Sequence, residues 1–273
     1  MITQLVLSGA GPYGLVQMGM VASANIDMDN IKSIHASSAG SIIGCLLCLN
    51  VPVVDILDYF INRPWDKWFA PDMSKLIESN GILSTDCFID MLVPFFNAYD
   101  VSPTITMKEF YDHTQIDFCI YTTQVSDLSL VSMNYKSHPN VNLLQAISAS
   151  ACIPLLFTPI NINGEQYIDG GLLKHCPVPD DMDPESSMVL SIDHKLPSTL
   201  DTPTNFIYHL LIKSFNRISS NTVPPTGKYV YRYMSEGASL SPIILHRVLT
   251  DRDFRTELVS IGQSFVSGQM IPE

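Results

Sequence analysis

The sequence predicts an α/β protein in which parallel strands are covered by helices. Short apolar runs, the first of them stopped by glycine, alternate with helix-like stretches from the first residues onward. The composition, 46% hydrophobic and 15% charged, supplies a large core, since an average soluble domain is roughly 25% charged. The 273 residues hold no internal repeat or long linker and suit one large α/β domain or two small ones.

The first strand is read at Gln4–Ser8, buried and ended by glycine, with a helix from Gly14 to about Ala24. A second short strand, Ile31–His35, leads to an apolar helix from about Gly40. The stretch 50–101 is rich in aromatics and prolines and reads as mostly helical. Strand signals return at Phe118–Thr123 and Leu128–Met133. Alternating runs around Asn163-Gly164 predict a hairpin over Thr158–Ile168, with Asp169 just beyond its second strand. Ser187–Ile192 reads as another buried strand, and Asp253–Ser267 as an amphipathic helix with Thr250 or Asp251 as cap.

The net charge of −12 argues against nucleic acid and against electrostatic capture by anionic lipid, both of which need clustered Lys and Arg. Membrane contact is then hydrophobic. No basic residue precedes Lys32, so the charged start of a secretory signal is missing, and the run Ile42–Val54 is too short to span a bilayer. The expected location is cytoplasmic or peripheral to membranes. Six scattered cysteines in mostly apolar surroundings read as reduced core residues; Cys45 and Cys48 form a C-x-x-C without the polar setting a redox pair needs. No zinc or calcium motif is present, and no metal or cofactor is expected.

Three motifs carry chemistry. Gly9-Ala10-Gly11-Pro12-Tyr13-Gly14 follows the first strand and opens a helix. Glycines there admit a dinucleotide pyrophosphate, present N–H groups to an oxyanion, or simply make a tight turn. Ala36-Ser37-Ser38-Ala39-Gly40 has the size pattern of a G-x-S-x-G nucleophile elbow, with small residues two positions either side of Ser38. Centring it on Ser37 would put His35 at a position that tolerates only small side chains. Asp169-Gly170-Gly171 sets a carboxylate at a strand end beside two residues that let another loop approach.

Together these motifs, in this order, resemble those of the patatin-like phospholipases. The resemblance extends to Gly81–Asp86, to Ile147–Pro154 and to Tyr167–Val178, covers about residues 4–195 and weakens afterwards. It implies a single three-layer domain over 1–273, with a mainly parallel central sheet, helices on both faces and a helical C-terminal part from about 198. It also implies a serine acyl hydrolase of phospholipase A or lysophospholipase type acting on phospholipid or other acyl lipids. Ser38 would be nucleophile and Asp169 base, with Gly9, Ala10 and Gly11 as the oxyanion hole and Gly14, Ala36, Gly40, Gly170 and Gly171 as support. The substrate would be met at a membrane or micelle surface.

The first loop departs from the family pattern: Ala10 replaces a glycine, Tyr13 stands at a basic position, and Pro12 has no N–H to offer. Oxyanion donors must come from Gly9, Ala10, Gly11 or Tyr13. One alternative is therefore a catalytically weak, lipid-binding relative. A nucleotide-binding reading would use Asp29, 20 residues after Gly9, and a Ser–His–Asp reading would use His194, whose neighbours Asp193 and Lys195 suggest a solvated loop instead. Tyr59, Phe60, Trp65, Trp68 and Phe69 cluster around Pro64 and read either as core or as a lid or docking surface over Ser38.

Overall fold

The structure is a computed structural model that describes residues 1–69, 80–194, 227–235 and 242–269, and isolated positions 74, 76, 78, 206, 207, 209, 210 and 213. In chain order the elements are β1 (Gln4–Leu7), α1 (Gly14–Ser23), β2 (Ser33–Ser37), α2 (Ala39–Cys48), α3 (Val53–Asn62), β3 (Gly81–Leu83), α4 (Asp86–Ala98), α5 (Met107–Thr114) and β4 (Asp117–Gln124). There follow β5 (Leu130–Met133), α6 (Leu143–Ala151), β6 (Leu155–Phe157), β7 (Ile160–Ile162), β8 (Glu165–Asp169), β9 (Ser187–Asp193), β10 (Tyr229–Met234), α7 (Pro242–Thr250) and α8 (Arg252–Gln269).

Among the described residues an eight-stranded sheet runs β10-β9-β1-β2-β4-β8-β7, with β5 also paired to β4. Its β10, β9, β1, β2 and β4 are mutually parallel, whereas β5, β8 and β7 join antiparallel. Strands β1, β2, β4 and β9 are largely buried, as expected where sheet faces are covered, whereas β10 at the edge is mostly exposed or half-buried. Leu5, Leu7, Ile34, Ile120 and Leu190 belong to the main core, and Gly44 of α2 lies close against Ile34 and Phe118. The opposite pleat carries Val6 and Val189 beneath Cys176, Val178 and Met182.

Strand β4 acts as the ruler of the sheet. Ile120 and Tyr121 pair with both β2 and β5, and Thr122 and Thr123 pair with both β5 and β8. A strand residue has one neighbour on each side, so β2 and β8 share one edge of β4. They meet there end to end: Ser37 lies opposite Tyr121, and Asp169 lies opposite Thr122.

The predicted hairpin is β7–β8, turning through Asn163 and Gly164, both at positive φ as a two-residue hairpin turn requires. Asp169 is the last residue of β8 rather than the first beyond it. Asp251 caps α8 by accepting Phe254 N–H at 3.0 Å. The part from about 198, expected to be helical, contains strand β10, which extends the sheet beside β9; its run Tyr229-Val230-Tyr231 is β-prone, and its partner is distant in sequence. Helix α5 went unread although Thr106 and Glu109 form a capping box. Part of the stretch 50–101 and most of 195–226 lie outside the described residues. Cys45 and Cys48 are buried in the core, and burial pushes both thiols up, out of the range of a redox pair.

Helix α8 closes the core against α1 through backbone contact. A Cβ on Gly19 would lie 2.1 Å from the Val259 carbonyl oxygen, and one on Gly262 would lie 2.0 Å from that of Val16. The helices must part if either glycine gains a side chain. Gly262→Ala is expected to lower stability by about 3 kcal/mol through overpacking, measured as a shift of the urea midpoint. Gly268→Ala, near the end of the same helix with nothing within 4 Å, should be neutral or slightly stabilising. Equal midpoints for the two variants would contradict the close crossing.

Candidate active site

Ser38 occupies the single residue between β2 and α2, with φ 54° and ψ −129°. A side chain rarely adopts such a backbone, and holding it there costs on the order of 1–3 kcal/mol. The turn is pinned from both sides. Ser38 N–H donates to Ser150 Oγ at 2.9 Å, and Ser150 Oγ in turn donates to the Tyr121 carbonyl at 2.6 Å. Ser38 O accepts from Ser41 N–H at 2.8 Å and from Ser41 Oγ at 2.6 Å.

The small residues around the serine have steric causes. Ala36 is fully buried in β2, paired with Leu7 and Ile120. A Cβ on Gly40 would stand 2.6 Å from the carbonyl oxygens of Leu7 and Ser8, so α2 starts in backbone contact with the end of β1. Gly14 opens α1, where a Cβ would meet that of Ala39 at 3.4 Å.

Asp169 arrives from the other side of the β2–β8 junction. Its Oδ2 accepts from Ser38 Oγ at 2.6 Å, and its Oδ1 accepts from Gly171 N–H at 2.7 Å. Its backbone is held by Asp169 N–H to Cys152 O at 3.0 Å and by Thr123 Oγ1 to Asp169 O at 3.0 Å. Gly170 passes so close to β4 that a Cβ there would lie 2.1 Å from Tyr121 O. The carboxyl is buried, and loss of hydration pushes its pKa up to about 6 against the opposing pull of the Ser38 and Gly171 hydrogen bonds.

The glycine loop lies beside Ser38, but its donors are fewer than expected. Gly9 N–H donates to the His175 carbonyl at 2.8 Å and Tyr13 N–H to Ala10 O at 3.1 Å, so Gly9 is not an available oxyanion donor, and neither is Tyr13. The N–H groups of Ala10 and Gly11 have no hydrogen-bond partner among the described residues. Gly11, at φ 51°, reaches the cavity wall. The helix α2 N-terminus starts directly after Ser38, and its orphan N–H groups add positive potential there.

Ser38 lies in the wall of an apolar cavity of about 550 Å³, lined by Leu15, Ile42, Phe60, Trp65, Phe88 and Leu249 among others. Asp169 is not on that wall and sits behind the serine. The aromatic cluster divides. Phe60, Trp65 and Phe69 form cavity wall, with Trp65 Nε1 donating to Phe60 O at 2.8 Å. Trp68 is half-buried beneath the Arg63 guanidinium, 4.1 Å from its ring centroid.

Two rival readings meet no supporting geometry. Asp29 lies in a short 3-10 turn capped by Asp27, not at the end of a second strand as a ribose-binding acid would. His194 packs edge-on against His175, ring centroids 5.2 Å apart, and burial pushes it down to about 3, so it is not in the solvated loop its neighbours suggested. Ser38 Oγ is bonded to Asp169 instead. Ser8, Gln17, Ser150 and His175 escaped the sequence reading. Ser150 was readable, being a serine in the apolar run Ile147–Ile153, where a buried hydroxyl must find a partner.

The fold and this geometry define an α/β protein with a strained serine between strand and helix, hydrogen-bonded to a buried aspartate over an apolar cavity. Comparison with known proteins agrees. A model of the patatin-like phospholipase family matches residues 5–182, and the chain belongs to that family. It is 26% identical over 180 residues to a probable lipid hydrolase of Invertebrate iridescent virus 6. It is 28% identical over 170 residues to triacylglycerol lipase 4 of Saccharomyces cerevisiae. The matches cover 64% and 57% of this chain, and only 61% and 18% of those relatives' lengths. Among solved structures, VipD from Legionella pneumophila shares the fold, with a TM-score of 0.52 at 14% identity over 95% of this chain and 67% of VipD.

The raised pKa of Asp169 fixes a stability signature. The folded-state value, about 6, lies above the unbonded 3.8, so the stabilisation of the protonated form is complete below about pH 4 and is lost as pH rises through 6. Asp169→Asn keeps polar partners for both Gly171 N–H and Ser38 Oγ. Its stability advantage over the native chain is expected to grow from near zero at pH 4 towards about 3 kcal/mol at pH 8. Thermal melts across that range check this, and a difference independent of pH would contradict a buried carboxylate whose lost hydration its two hydrogen bonds only partly offset.

Proposed function

We propose that this chain is a serine lipid acyl hydrolase using a Ser38–Asp169 dyad, the reading carried by the 2.6 Å hydrogen bond between them at the wall of the apolar cavity. Ser38 Oγ attacks the ester carbonyl carbon while its proton passes to Asp169 Oδ2. The developing oxyanion is stabilised by the free N–H groups of Ala10 and Gly11 and by the α2 N-terminus. The tetrahedral intermediate collapses, the carbon–oxygen bond to the alcohol breaks, and Asp169 returns the proton to the leaving oxygen. Water then repeats the sequence on the acyl-enzyme, releasing fatty acid and restoring Ser38. A free carboxylate is a weak base for a serine; the raised pKa of Asp169 brings it closer to that task.

A cavity of about 550 Å³ holds roughly 18 methylene-sized groups if each takes the liquid volume of a water, about 30 Å³. That is room for one long acyl chain, so the rest of the lipid stays outside, at a membrane or micelle surface. The C-terminal part belongs to the same functional unit in this reading: α7 supplies Leu245, Val248 and Leu249 to the cavity wall, and α8 packs on α1. Membership of the patatin-like phospholipase family and similarity to lipid hydrolases and lipases support the lipid substrate. A second reading, a lipid-binding relative with little turnover, is favoured by one observation, the loss of Gly9 N–H to His175.

The test is fatty-acid release from mixed phosphatidylcholine micelles and from acylglycerol emulsions, with native chain and Ser38→Ala. The variant should be slower by about 10⁴-fold or more. Fatty-acid binding without release from either substrate class would favour the second reading. Because Asp169 must be ionised to act as base, kcat/KM on a soluble ester should fall about tenfold per pH unit below about pH 6. A flat profile from pH 5 to 8 would remove Asp169 as the base.

A further inference from the structure

The glycine loop after β1 is tied to the end of β9 by side chains that the proposed chemistry does not use. Ser8 Oγ donates to Gly9 O at 2.7 Å and accepts Ile192 N–H at 2.8 Å. Gln17 Nε2 donates to Leu190 O at 2.9 Å. His175 completes the tie twice over: its main-chain oxygen accepts Gly9 N–H at 2.8 Å, and its Nε2 lies 2.6 Å from Ile192 O. A carbonyl only accepts, so Nε2 carries the proton and Nδ1 of the neutral ring is bare. Burial lowers the pKa of this imidazole and keeps it neutral at pH 7.

The ring also stands directly behind the loop. A Cβ on Gly9 would lie 3.1 Å from His175 Nδ1 and 3.5 Å from Ser38 Cβ. The ring anchored on Ile192 and the Ser38 side chain thus both crowd the place where a Gly9 side chain would stand, so the imidazole packs against the loop right beside the proposed nucleophile.

We infer that His175 is a positioning residue which, by bridging Ile192 O to Gly9 N–H, aims the N–H groups of Ala10 and Gly11 at the acyl oxygen on Ser38. This rests on the Ser38–Asp169 reading. The Gly9 N–H is spent on holding the loop, and the two groups that follow it do the stabilising. Oxyanion donors act within about 2.7–3.1 Å of the oxygen, and a misplacement near 1 Å costs about 10² in rate. The imidazole therefore affects turnover without touching substrate.

The experiment compares native chain, Ser38→Ala, His175→Ala and His175→Gln, the last keeping an N–H that can reach Ile192 O. Kinetics on a soluble ester are read beside binding of an alkyl trifluoromethyl ketone, which mimics the tetrahedral intermediate, and of the fatty-acid product. Amide exchange is followed at Gly9 and along β4. His175→Ala should lower kcat by about 10² or more and weaken the ketone by a similar factor. KM and fatty-acid binding should stay within about twofold, Gly9 exchange should quicken and β4 exchange should not. His175→Gln should recover most of the loss. Unchanged kcat in His175→Ala overturns the inference, as does a loss matched by weaker fatty-acid binding and faster exchange throughout β4. If the native chain is no faster than Ser38→Ala, the hydrolase reading fails on its own, and Gly9 exchange then decides: no change in His175→Ala overturns the positioning role.

Discussion

Ser38 and Asp169 are 131 positions apart in the chain, and their hydrogen bond exists because β4 offers one edge to two strands in succession. β2 runs along that edge until Ser37 meets Tyr121, and β8 comes from the opposite direction until Asp169 meets Thr122. Two strands of opposite sense thus end face to face, and the residues at their tips are forced together. The antiparallel β8 in an otherwise parallel half-sheet is the constraint on which the site depends: a parallel strand in its place would point its C-terminal end away from Ser38.

That junction stores unfavourable energy in two forms. Ser38 sits at positive φ, and Asp169 is a carboxyl deprived of water. Both are held by hydrogen bonds that converge on β4. Ser150 links the Ser38 N–H to Tyr121 O, Gly170 lies in backbone contact with the same carbonyl, and Thr123 grips Asp169 O. The β4 backbone therefore carries Ser38 and Asp169 as one body, which keeps them at hydrogen-bonding distance, while Asp169 stays off the wall of the apolar cavity that Ser38 lines.

The glycine loop is fixed by a separate set of contacts, from β9 rather than β4. Ser8, Gln17 and His175 all bond to the backbone of Leu190 or Ile192. Ser38 and the loop thus hang from different strands and meet at Gly9. The loop carries Ala10 and Pro12 on this β9 anchor, with Gly9 N–H held by His175 O and Gly11 at the cavity wall.

Much of this was legible in residue order. Short apolar runs gave the strands β1, β2, β4 and β9, Asn163-Gly164 gave the β7–β8 hairpin, and the small residues around Ser38 marked the turn, because each of these signals is local and reports backbone geometry directly. Family membership followed from the order of three such motifs. Other features depend on partners far along the chain. β10 was hidden because a strand at a sheet edge is made by its neighbour β9, and the fate of Gly9 N–H was hidden because its acceptor is His175 O. The division of the aromatic cluster was hidden as well, because Trp65 joins a cavity wall completed by distant residues such as Phe88 and Leu249, while Trp68 lies under its neighbour Arg63. Local sequence records what a backbone can adopt; which donor meets which acceptor, and which carboxyl loses its water, follows from packing between segments that lie far apart in the chain.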